Sequence, residues 1–72
     1  MPVSLDDMKT PGDILRKALE KEREAFEFYG RLMDYTKIDM VRDLVAQLKD
    51  EENKHINLIE KMLTDMRLGH GG

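Results

Sequence analysis

Two apolar seams at helical spacing are each interrupted by side chains that ionise. In the second half of the chain, alternating steps of four and three pick out Val41, Val45, Leu48, Glu52, His55, Ile59, Met62 and Met66. Six of those eight are apolar, and the two exceptions, a carboxylate and an imidazole, are neighbours in the seam. In the first half, steps of three and four pick out Leu15, Ala18, Glu22, Ala25, Tyr29 and Leu32, again with one carboxylate inside. Spacing of this kind belongs to the buried stripe of an amphipathic helix. Burying a charge is costly unless it is paired or bound to a metal. Both seams therefore call for a helical fold that brings Glu22, Glu52 and His55 to a common partner.

The size of the chain narrows how such a fold is stabilised. Seventy-two residues make a single domain, here 1–72, that buries little surface by itself. Small scaffolds add disulfides, a metal or a partner chain. The sequence contains no cysteine, which excludes disulfides, zinc–thiolate sites and iron–sulfur clusters and leaves metal binding and self-association. The net charge of −3 offers no basic stripe for nucleic acid. No apolar run approaches the length of a membrane span, and the start, Met1-Pro2-Val3-Ser4-Leu5-Asp6-Asp7, lacks the pattern of a signal peptide. The expected location is the cytoplasm, or a protein nanocompartment within it.

Local signals set the elements. Thr10-Pro11-Gly12-Asp13 reads as a helix start, with Thr10 as cap, Pro11 at the first helical position and Asp13 at the positive end of the dipole. The first helix is expected over about 11–34 and the second over about 38–67, with Thr36 or Asp39 capping the second. Gly69 is the expected stop. Gly30 marks either a weak point or a close backbone approach. Two long helices with a short connection predict an antiparallel hairpin. Glu22 lies fifteen residues before Lys37 and Glu52 fifteen after it, so equal rise per residue places both at one level. A second apolar set (Ile14, Phe26, Phe28, Ile38, Leu44, Ile56, Leu58, Leu63) lies off the seams and implies broad faces or further assembly.

Glu52-Asn53-Lys54-His55 is an E-x-x-H motif, whose carboxylate and imidazole share one helix face. Four-helix di-iron proteins take a Glu from each of two helices and an E-x-x-H from each of the other two. This chain supplies half of that set, so a two-fold dimer of hairpins completes both the bundle and the ligand set. Glu22-x-x-Ala25-x-x-x-Tyr29 followed by Glu52-x-x-His55 resembles the ferritin-like, rubrerythrin-type signature, and the two-helix form with Asp50-Glu51-Glu52-Asn53-Lys54-His55 is similar to the encapsulated ferritins. The resemblance covers about residues 14–66. It implies an all-α hairpin that dimerises into a ferritin-like four-helix bundle, with a di-iron ferroxidase centre between subunits. It implies Glu22, Glu52 and His55 as the iron ligands and catalytic residues, Tyr29 beside them, and Glu51 at an auxiliary site. It further implies O2 or peroxide as oxidant, a higher homo-oligomer and an encapsulin shell, although no cargo peptide of the encapsulin type follows the second helix. Two rivals stand beside this reading. One is a rubrerythrin-like peroxide reductase with the same ligands. The other is a non-catalytic dimerisation module with a structural metal, for which Glu and His also suit zinc.

Overall fold

The computed structural model describes residues 9–67. Two helices make up the fold, α1 over Pro11–Tyr35 and α2 over Asp39–Arg67, folded back on one another as an antiparallel hairpin. The expected bounds lie within one residue of these. Gly69 and His70 fall outside the described residues. Among those residues no helix is long and apolar enough to cross a membrane.

The start of α1 is more firmly built than its sequence signals imply. The Asp13 N–H donates to Thr10 Oγ1 at 3.1 Å, and the Thr10 N–H donates back to Asp13 Oδ2 at 3.1 Å. This reciprocal capping box satisfies two donors that a helix N-terminus otherwise leaves open. Asp13 also accepts from the Lys9 N–H at 3.1 Å and from Arg16 Nη2 at 2.7 Å. The turn is held by a residue that spacing does not reveal. Arg42 donates through Nη2 to the Thr36 carbonyl at 2.7 Å and through Nε to the Met33 carbonyl at 3.3 Å. Its guanidinium thus serves carbonyls that the end of α1 would leave unsatisfied. The expected caps of α2 work differently: the Thr36 hydroxyl accepts from the Ile38 N–H at 3.2 Å, before the helix, and Asp39 lies in its first turn. A side-chain acceptor reaches the N–H groups its local geometry presents, and those are set by the tight turn.

The hairpin is one helix thick, with a least dimension of 12 Å. Among the described residues only Leu19 and Val45 are buried, each 8% exposed, because two helices touch along one line and leave their flanks open. The two flanks differ. One groove between the helices runs past Leu32, Tyr35, Val41 and Val45 and is apolar. The opposite groove runs past Arg16, Arg23, Glu27, Glu60, Thr64 and Arg67 and is charged. Across this back groove Arg23 Nη2 meets Glu60 Oε2 at 2.6 Å, a bridge between the two helices. Lys17 and Lys21 do pair within α1, with Glu20 and Glu24.

The apolar side follows a seven-residue rule. On α2, Val41, Leu48, His55 and Met62 stand seven apart, as do Leu44, Glu51 and Leu58. On α1 a row of the same spacing, Ile14, Lys21, Phe28 and Tyr35, runs along the side turned away from the buried Leu19. All the large apolar members of these rows are substantially exposed. The second apolar set therefore divides. Phe26, Ile56 and Leu63 are half-buried within the hairpin, whereas Ile14, Phe28, Leu44 and Leu58 stay exposed. Gly30 is approached by a side chain rather than by backbone: a Cβ built there would meet Lys49 Nζ at 3.3 Å. That ammonium lies 4.7 Å over the Phe26 ring, a cation–π contact.

Candidate metal centre

Glu22 stands mid-way along α1, and Glu52 and His55 share a turn of α2. Antiparallel packing brings all three to one level. His55 Nδ1 lies 3.5 Å from Glu22 Oε2 on the facing helix and 3.7 Å from Glu52 Oε2 on its own. One donor atom from each residue falls within 4.8 Å of the others, a spacing that admits a single cation between them. The equal-level argument from the turn thus describes the geometry found.

The surroundings of the three differ. The Glu52 side chain is 18% exposed, Glu22 is 28% exposed and His55 is 47% exposed. Glu52 reaches into the space between the helices, and His55 stands at the lip of the open face. Glu52 Oε2 is buried and accepts no hydrogen bond. The imidazole, at 3.7 Å, is beyond hydrogen-bond length, and the lysines that could have neutralised Glu52 are engaged elsewhere: Lys49 lies over Phe26 and Lys61 pairs with Asp65. A buried carboxylate oxygen without a donor is costly, and a cation removes that cost. Two carboxylates and an imidazole form a hard-to-borderline set suited to iron and also to zinc. The residues present therefore fit a metal, and three donors on a half-open face leave coordination positions for further ligands.

Tyr29 and Glu51 do not join the cluster. Tyr29 is half-buried with its ring centroid 6.1 Å from that of Phe28, and among the described residues no hydrogen bond links it to Glu22, Glu52 or His55. Glu51 is exposed, 3.9 Å from Lys54, and points along the outer row of α2.

Searches against curated proteins and against solved structures returned no match for the chain. A family model does match, and it covers α2, α1 from Asp13 onward and all three clustered residues: residues 13–71 fit the model described as Rubrerythrin. With four-fifths of its length so matched, the chain belongs to the rubrerythrin family, the ferritin-like group to which its E-x-x-H motif pointed.

Proposed function

We propose that this protein is a ferroxidase-like di-iron oxidase whose centre forms where two copies meet. The observation that carries this is the Glu22–Glu52–His55 cluster, with its buried and unpartnered Glu52 oxygen on an open apolar face. One chain offers three donors. Two chains related by a two-fold axis offer four carboxylates and two imidazoles, enough for two irons and the ligand complement of di-iron bundles. The family membership supports iron over zinc.

In this reading Fe(II) is the substrate. Glu22 and Glu52 bind it through hard anionic oxygens, which stabilise the ferric state more than the ferrous and so favour oxidation. His55 supplies a neutral nitrogen donor and remains accessible at the lip of the site. Two Fe(II) ions give up one electron each, O2 takes both with two protons, and hydrogen peroxide leaves. With peroxide as oxidant, the same two electrons cleave it to two waters. The apolar residues on either side of the cluster exclude bulk water from the carboxylates once the face is covered.

Aerobic titration with Fe(II), followed in the near ultraviolet, tests the proposal. Oxidation faster than in protein-free buffer, saturating near one iron per chain, is expected. Glu52→Ala and His55→Ala are expected to return the rate to that of buffer. No acceleration by the wild-type protein would sink the reading. A peroxide-reductase role with the same ligands is the second reading, favoured by the family match. The 72 residues hold no cysteine for a rubredoxin-type electron-transfer site, so the reductant would be a separate carrier. Peroxide turnover that continues only while an external reductant is supplied would distinguish it.

A further inference from the structure

We infer that Phe26 and Gly30 are positioning residues that hold the Lys49 ammonium off Glu52, and so keep that carboxylate open to a metal ion. This rests on the reading of Glu22, Glu52 and His55 as a metal centre and adds to it three residues that set its affinity.

The structure contains its own comparison. Lys17 and Glu20 stand three residues apart on α1, as do Lys21 and Glu24, and both pairs close, at 3.6 and 3.2 Å. Lys49 and Glu52 have the same order and the same spacing on α2. Residues so placed share a helix face and come within reach of each other. Among the described residues this third pair stays open. Lys49 Nζ lies 4.7 Å over the Phe26 ring, and Glu52 Oε2 is left buried without a hydrogen bond. The pair that fails to close is the one whose carboxylate belongs to the cluster.

Two features of α1 draw the ammonium away. Helical side chains lean toward the N-terminus of their own helix, so Lys49 leans along α2 toward the turn and away from Glu52. There α1 presents the Phe26 ring, whose face attracts a cation. About one turn further along α1 is Gly30, where a Cβ would stand 3.3 Å from Nζ and 3.7 Å from Cε of Lys49. Glycine, with no side chain, leaves the notch in which the half-buried lysine rests. With the ring removed or the notch filled, the anion at the spacing closed twice on α1 is Glu52. An ammonium on Glu52 must leave before a metal binds, so apparent affinity falls with the fraction of chains in which that carboxylate is free.

Two measurements on the full chain test this. In the metal-free protein, the Lys49 ε-methylene protons are expected upfield of those of the other lysines, shifted by the Phe26 ring current. An unshifted Lys49 overturns the inference. Anaerobic Fe(II) titration by calorimetry reads the consequence. Phe26→Leu is expected to weaken Fe(II) binding roughly threefold to tenfold, the range a lost cation–π contact allows. Combining it with Lys49→Met is expected to restore wild-type affinity, because the competing cation is gone. A packing defect would not be rescued in this way, so a double variant as weak as Phe26→Leu overturns the inference. Gly30→Ala, the milder change, is expected to weaken binding in the same direction and to be rescued by the same Lys49→Met. Fe(II) binding that neither Phe26→Leu nor Gly30→Ala alters overturns the inference and leaves the metal centre standing. A wild-type chain that binds no Fe(II) sinks the metal-centre reading, and this inference with it.

Discussion

Glu52 concentrates the chemistry of the chain in one atom. Its Oε2 is buried, accepts no hydrogen bond and has no lysine to neutralise it. An interaction of this kind destabilises the metal-free fold and becomes favourable only when a cation arrives. Glu52→Gln is therefore expected to raise the melting temperature in chelator while abolishing the rise that metal produces in the wild type. A metal present at about a hundred times its dissociation constant stabilises by roughly 2.7 kcal/mol. Thermal melts with and without Fe(II) under anaerobic conditions would show that difference, and an unchanged metal response in Glu52→Gln would remove Glu52 from the ligand set. Glu22, Glu52 and His55 were legible in the sequence because ionisable residues interrupting apolar seams at equal distance from a turn meet by geometry alone. Tyr29 was less legible. Its place on the seam states which way the ring faces, not whether the hydroxyl finds a partner, and within one hairpin it bonds to none of the three.

Both ends of α1 have a device where packing cannot help. At its start this is the Thr10–Asp13 capping box, and Thr10→Ala is expected to cost about 1 kcal/mol. The Arg16 guanidinium, followed by the Lys9 amide and the cap itself, holds the Asp13 carboxyl below its ordinary range. A carboxyl with its pKa lowered on folding stabilises the fold at pH values above its unfolded pKa, and loses that contribution as pH falls through the lowered value. Circular dichroism melts should thus separate wild type from Asp13→Asn at neutral pH, with the two converging in acid. At the other end, Arg42 binds the Met33 and Thr36 carbonyls. In the sequence it is one more cation on a charged helix, because its role depends on the path of the turn. Gly30 offers a substitution with the opposite sign. The obstacle to a Cβ is the tip of the flexible Lys49 chain, so Gly30→Ala should stabilise α1 by up to about 1 kcal/mol as Lys49 swings aside. Urea titration of that variant would read it, and a loss of stability would mean that the Lys49–Phe26 contact outweighs helix propensity.

The described residues form a slab one helix thick with two buried side chains, too little to stand alone. Its melting temperature is expected to rise with protein concentration, as mass action requires when folding and association are linked. A melting temperature independent of concentration over two decades would show that the hairpin is stable by itself. The sequence alone determined the two helices, their antiparallel pairing and the common level of Glu22, Glu52 and His55, because period, capping residues and rise per residue are local properties of the chain. Only the tertiary structure decided which apolar residues are left over. Phe26, Ile56 and Leu63 turn inward, and Ile14, Phe28, Leu44 and Leu58 stay exposed. The reason is that two packed helices bury only the strip along their line of contact. Where that strip falls on each helix depends on how the hairpin rotates its helices, and this also set Glu22, Glu52 and His55 close together at the edge of that strip.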